Sequence, residues 1–147
     1  IQGRHDTYPK RRGLTRIREL GEAGVALALG HDCVMDPWYS FGSHDMLDVA
    51  HMAVHAAQMT GQDDIRKMFD AVTVGGAGVL GLPDYGLKIG ANADMVILQA
   101  ASPFDAIRLR PARLFVIRRG RIIAKTPAVT AEVNLDGAIR PIDFTLS

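Results

Sequence analysis

The sequence predicts an α/β protein, and three observations carry that reading. An amphipathic helical stretch from Leu14 to about Ala23 runs straight into a short, continuously apolar run, Val25-Ala26-Leu27-Ala28-Leu29. Further helical segments follow as far as about Leu82. From Tyr85 on, glycines and prolines punctuate short β-type runs.

In the first helix Leu14, Ile17 and Leu20 recur at helical spacing among Arg16, Arg18, Glu19 and Glu22, and Gly24 supplies the stop. The run Val25 to Leu29 is bounded by glycines, as expected for a strand buried on both faces of a parallel sheet. His31, Asp32 and Cys33 follow at once and are therefore placed at the C-terminal end of that strand. That is the edge where parallel α/β barrels carry their chemistry. A loop with Pro37 and Trp38 leads to a segment, Asp45 to Met59, that is apolar over most of its circumference, so that a largely buried helix or a subunit contact is expected. A shorter helix, about Asp63 to Val72, opens with acids that suit the positive helix N-terminus, and a Gly-rich turn-helix runs from Thr73 to Leu82. Beyond it, Met95-Val96-Ile97-Leu98, Leu114-Phe115-Val116-Ile117 and Arg121-Ile122-Ile123-Ala124 read as strands, the last two forming a hairpin about Arg119-Gly120. A boundary is placed near Pro83, dividing 1–82 from 83–147.

The bulk properties narrow the function classes. With 147 residues, 48% of them hydrophobic and 22% charged, the chain is long enough for an ordinary core. A net charge of +1 gives no electrostatic reason to expect nucleic acid or an acidic membrane as partner. A single cysteine excludes an internal disulfide, and a reducing, cytoplasmic setting is the simplest expectation. No apolar run approaches the length of a transmembrane helix, and the first residues lack the apolar stretch of a signal peptide. The chain starts at Ile1 inside what reads as an apolar strand end, so a fragment of a longer protein is expected.

Several residues invite chemistry. A carboxylate at the end of a buried strand must be solvated, hydrogen-bonded or metal-bound, which makes Asp32 the sharpest candidate, although capping the next helix is an equally physical use of such an acid. His51 and His55 have the i, i+4 spacing of a metal pair, but Met52 stands where a zinc protease has its glutamate, and structural histidines are the reading preferred. Lys10, Arg11, Arg12, Arg16 and Arg18 have acids nearby and read as a solvated face. Gly75-Gly76-Ala77-Gly78 does not follow a strand and has no phosphate-loop lysine, so it reads as structural. Cys33 has no suitably placed histidine to serve it as a nucleophile's base, and a pocket wall suits it better. Trp38 is the only tryptophan, and its ring could stack on a planar substrate or simply anchor the loop.

Read together, Gln2-Gly3-Arg4, Asp6-Thr7-Tyr8-Pro9-Lys10-Arg11-Arg12-Gly13, Gly30-His31-Asp32 and Asp36-Pro37-Trp38-Tyr39 resemble the last strands of the bacterial cytosine deaminase-like enzymes of the metal-dependent amidohydrolase superfamily. Thr73, Ala77, Leu80-Gly81-Leu82, Tyr85-Gly86, Gly90, Asn92-Ala93 and Ile97-Leu98 resemble the closing segment of the wider superfamily. The resemblance implies the C-terminal part of a distorted (β/α)₈ barrel over 1–82, with part of a small β domain over 83–147. It implies one divalent metal, zinc or iron, and hydrolytic deamination of a cytosine-like ring by the intact protein, this stretch alone being inactive. Asp32 matches the family's metal-binding aspartate after the eighth strand, which is also its proton shuttle, and Cys33 and Trp38 fall in the substrate pocket. The family's His-x-His pair, third histidine ligand, glutamate and further histidine have no counterparts here. They are expected upstream, since such a barrel needs about 250 residues.

At Cys33 the familiar members carry a second aspartate. A smaller, less polar thiol there should widen and dry the pocket, so ring-substituted substrates such as 5-methylcytosine are expected to be accepted as well as cytosine or better. A small-molecule heterocyclic amine is the expected partner, in a homo-oligomer, with no nucleic acid and no membrane. Isoguanine, creatinine or an aminated triazine are alternative substrates, and a non-catalytic assembly module using the Asp45 to Met59 helix is the alternative of another class.

Overall fold

A computed structural model describes residues 7–8 and 13–145. The motif residues Gln2 to Asp6 and Pro9 to Arg12, with the basic stretch Lys10 to Arg12, lie outside the described residues.

Helix α1 spans Ile17–Glu22, and its chain direction reverses at Gly24, whose φ of 75° favours a residue without a Cβ. Leu14 lies before the helix and is half exposed, so that the first turn of the predicted helix does not form. Helix α2, Met46–Ala56, is started by Asp45, whose carboxylate accepts from the Leu47 N–H at 2.7 Å. Its inner face carries Leu47, Ala50, Ala53 and Val54, while Met52 and His55 face water, so the helix is buried on one side only. Helix α3, Gln62–Ala71, has Asp63 and Asp64 in its first turn and buries Ile65, Met68 and Ala71. Helix α4, Val74–Val79, is the Gly-rich turn-helix.

The β segments form two antiparallel units. Strands β1 (Met95–Leu98), β2 (Arg113–Arg118) and β3 (Arg121–Lys125) make a three-stranded sheet in that order. The hairpin at Arg119-Gly120 forms as expected, with φ of 48° and 76°, the left-handed pair that matches strand twist in a tight hairpin. A second hairpin joins β4 (Ala131–Leu135) to β5 (Ala138–Ile142) through Asp136-Gly137, with φ of 57° and 76°. Between β1 and β2 lies helix α5, Pro103–Leu109. Ser102 caps it by accepting from the Asp105 N–H at 3.1 Å, and Pro103 has the fixed φ that suits a first helical position.

The core sits among α2, α3 and α5, where Leu47, Val54, Met59, Ile65, Met68 and Ile107 pack together with Ile17 of α1. Helix α5 follows Pro83 in sequence yet contributes Ala106 and Ile107 to this core. Asp105 is the one buried charged residue among those described, and Arg108 pairs with it at 2.8 Å, as a buried carboxylate requires.

One expected element differs. Val25 to Leu29 pairs with no strand among the described residues. Leu27 and Leu29 lean on the helical core, whereas Val25 is 49% exposed. A strand of a parallel sheet takes its ladder bonds from neighbours on either side, and none of the described strands lies beside this one. The segment is instead held along one side, by a Leu29 N–H to Ala71 carbonyl bond of 3.1 Å and by α4. A Cβ on Gly75 would come within 2.5 Å of the Leu27 carbonyl oxygen, so α4 approaches the segment as closely as only glycine allows.

Candidate active site

The apolar segment delivers His31, Asp32 and Cys33 to a loop that folds on itself. The Cys33 N–H bonds back to the His31 carbonyl at 2.9 Å across Asp32, whose φ is 64°. An i to i+2 bond around a residue of positive φ is a γ-turn in its strained form, and aspartate tolerates that backbone better than most residues. The His31 ring reinforces the turn, since its Nδ1 lies 3.1 Å from the Cys33 carbonyl oxygen and donates to it. Gly42, at φ 104°, passes over this ring, and a Cβ there would meet the ring's Cε1 at 2.6 Å.

The next turn is built by Asp36. Its backbone N–H bonds to the Tyr39 carbonyl at 3.1 Å and its carbonyl accepts from the Tyr39 N–H at 3.2 Å, with Pro37 and Trp38 at the tip. The Asp36 carboxylate accepts the backbone N–H groups of Trp38 and Tyr39, each at 2.9 Å. Proline at the second position of such a turn presets its φ, and aspartate at the first bonds its own following backbone. The Met35 N–H to Phe41 carbonyl bond, 3.0 Å, closes the loop, and the Tyr39 and Phe41 rings pack 5.7 Å apart.

The electrostatics follow from these contacts. Partial burial pushes the Asp36 carboxyl up, but the Tyr39 N–H, the Cys33 thiol and the Trp38 N–H outweigh it and hold the group below its ordinary value. The same Asp36 carboxylate, with partial burial and the Asp32 charge, pushes the Cys33 thiol up. A thiol kept protonated is a poor nucleophile.

The three residues singled out from sequence are thus brought onto one loop. Asp32 is exposed and in no ion pair among the described residues, so its oxygens are open to a cation. Cys33 and Trp38 are linked through Asp36, and the Trp38 side chain is 74% exposed. Asp36, His31 and Gly42 were not singled out as working residues. The Asp-Pro-Trp-Tyr turn signal pointed to the first, but the ring-over-glycine contact joins residues 11 positions apart and leaves no local signature. Among the described residues no group of three or more His, Cys, Asp and Glu side chains could hold a metal ion. They fit one ligand position, that of Asp32. His51, by contrast, is tied into the fold: its Nδ1 lies 3.2 Å from the Ile107 carbonyl oxygen, and the His55 ring stands edge-on at 4.6 Å. No helix of the described residues is long and apolar enough to cross a membrane.

Comparison with known proteins agrees with this architecture. The profile of the amidohydrolase family matches residues 1–139. The chain is 36% identical over 116 residues to N-isopropylammelide isopropyl amidohydrolase of Pseudomonas sp. strain ADP, covering 78% of this chain and 29% of that protein. It is 31% identical over 128 residues to pterin deaminase of Rhizobium rhizogenes, covering 86% of this chain and 29% of that one. Among solved structures it superposes on 5-methylcytosine deaminase from Klebsiella pneumoniae, liganded with phosphonocytosine, with a TM-score of 0.80 and 38% identity, over 88% of this chain and 32% of that chain. The chain therefore spans about a third of the length of the proteins it matches. Members of the family are hydrolases acting on C–N bonds and generally use a divalent metal. With the family profile matched over residues 1–139 and its fold shared with a pyrimidine deaminase, the chain belongs to the amidohydrolase family, on its cytosine deaminase-like side.

Proposed function

We propose that the intact protein is a metal-dependent hydrolytic deaminase of cytosine or a related aminated ring, with 5-substituted cytosines among its good substrates. The observation that carries this reading is the 38% identity and shared fold with 5-methylcytosine deaminase over 88% of this chain. In this reading 1–82 is the end of the barrel and 83–147 belongs to the small β domain. The remaining metal ligands come from a part of the intact protein that these residues do not include. The metal, zinc or iron, would supply water made acidic enough to react at neutral pH.

Deamination forms a C–O bond at the ring carbon that bears the exocyclic amine, and then breaks the C–N bond to release ammonia. Asp32 takes the proton from the attacking water on a carboxylate oxygen and hands it to the leaving nitrogen, as a general base turned general acid. Its exposure, and the absence of an ion pair to it among the described residues, leave the carboxylate free for that traffic. Trp38 offers its ring as a stacking surface for a planar substrate. Cys33, protonated and partly buried, gives a compact and weakly polar wall where a ring substituent can rest. The enzyme is placed in the cytoplasm as a homo-oligomer whose partner is the small-molecule substrate.

A second reading, a related amine such as an aminated triazine or a pterin, is favoured by the relatives named for N-isopropylammelide and pterin. Ammonia release by the intact, metal-loaded enzyme from a panel of ring amines separates the two. The expected result is turnover of 5-methylcytosine at least as fast as of cytosine. Cytosine turned over far faster than every 5-substituted analogue would refute the Cys33 argument, and turnover of a triazine or pterin alone would select the second reading.

A further inference from the structure

Asp32 occupies a backbone conformation that costs energy, so something must hold it there. A positive φ in a non-glycine residue at a γ-turn persists only where its surroundings over-determine it, and such strain collects at working sites. The structure shows what does the holding. His31 grips Cys33, the residue after Asp32, at both its backbone groups: the His31 carbonyl accepts the Cys33 N–H at 2.9 Å, and the ring Nδ1 donates to the Cys33 carbonyl at 3.1 Å. The ring is in turn fixed from outside by Gly42, where any Cβ would lie 2.6 Å from Cε1 and 3.3 Å from Nε2. Val34 closes the same contact, its Cγ1 lying 3.2 Å from that position.

From this geometry we infer that His31 is a positioning residue for Asp32, acting by a hydrogen bond from Nδ1 to the Cys33 carbonyl, with Gly42 as the backbone surface that seats its ring. The inference rests on the proposed role of Asp32 in holding the metal and moving the proton. It adds a residue that touches neither substrate nor metal but sets the direction in which the carboxylate leaves the chain. Residues that orient a metal ligand from behind typically carry about 10–100-fold of metal affinity or activity.

The test separates the hydrogen bond from the bulk of the ring. An asparagine amide nitrogen stands where Nδ1 stands, whereas a glutamine amide reaches the position of Nε2 and does not meet the Cys33 carbonyl. In the intact, metal-loaded enzyme His31→Gln is expected to lower kcat by about 10–100-fold and to lose metal more readily on dialysis against a chelator, with KM changed by less than about threefold. His31→Asn is expected to restore metal retention and most of kcat. Gly42→Ala, which keeps the imidazole but crowds it and also strains its own backbone at φ 104°, should reproduce the His31→Gln pattern. If His31→Gln fails to fold, His31→Phe, which keeps a ring of similar bulk but has no donor, takes its place. Wild-type metal retention and kcat in His31→Gln or Gly42→Ala, or an Asn variant as impaired as the Gln one, would overturn the inference. Absence of ammonia release from every ring amine by the wild-type enzyme would sink the proposed reaction instead, while the metal-retention comparison would still score His31.

Discussion

The α2–α3–α5 core and the extended segment leading to Asp32 are neighbours that satisfy themselves in different ways. In the core each helix closes its own backbone bonds and needs its partners only to cover an apolar face, which Met68 and Ile107 do with 1% and 2% exposure. The 25–29 segment has no such internal economy, because an extended chain must take its hydrogen bonds from others. It finds two, from Val25 to Leu20 and from Leu29 to Ala71, and leaves the Val25 side chain half exposed. The proposed site thus follows the segment least able to define itself, and just beyond that segment side chains within the loop, His31 and Asp36, brace the backbone.

The comparison can be broken at the core first. Met68→Ala removes the largest fully buried apolar side chain and should cost about 2–5 kcal/mol, read by denaturant unfolding. A cost well under that range would mean that the helices do not form the stable unit. Gly75→Ala sharpens the contrast. Its methyl would sit 2.5 Å from the Leu27 carbonyl oxygen and 3.0 Å from that of Asp70, and overpacking of this kind costs about 1–3 kcal/mol. Because α4 braces the extended segment, hydrogen exchange should speed up at Leu29 while amides within α2 and α3 stay protected. Equal loss of protection in both regions would show that segment and core unfold as one.

The smallest effect concerns pH. Burial, the Arg110 charge and His55 lower the His51 pKa below its ordinary 6.5, against the opposing influence of the Ile107 carbonyl and Asp48. The unfolded chain then binds a proton more readily than the folded one. The contribution of neutral His51 is complete above pH 6.5 and is lost as the pH falls from 6.5 toward the lower folded value. Thermal scans from pH 7.5 down to 5 should show a decline in Tm that His51→Gln flattens. An unchanged slope in that variant would assign the pH dependence elsewhere.

Much of this was legible in the chain. A largely apolar stretch marked α2, acids in the first turn marked α3, and Arg119-Gly120 marked its hairpin, because those signals are local: one run of side chains, one helix start or one left-handed turn. Helix α5 and the β4–β5 hairpin were not marked, although Ser102-Pro103 with Asp105, and Asp136-Gly137, are a capping signal and a turn signal. At seven residues α5 is too short to show periodicity, and its place in the core comes from contacts with α2 and α3.

By itself the sequence determined that a run of helices precedes the first of the strands, that Asp32 follows an apolar run, and that Asp32, Cys33 and Trp38 share one loop. Those facts depend on neighbours along the chain. Only the tertiary structure decided that the 25–29 run lies unpaired against α3 and α4, that Asp36 joins Cys33 to Trp38, and that His31 is seated on Gly42 behind a strained Asp32. Strand pairing and close ring-to-backbone contact are set by which segments meet in space, and residue order alone does not record that meeting.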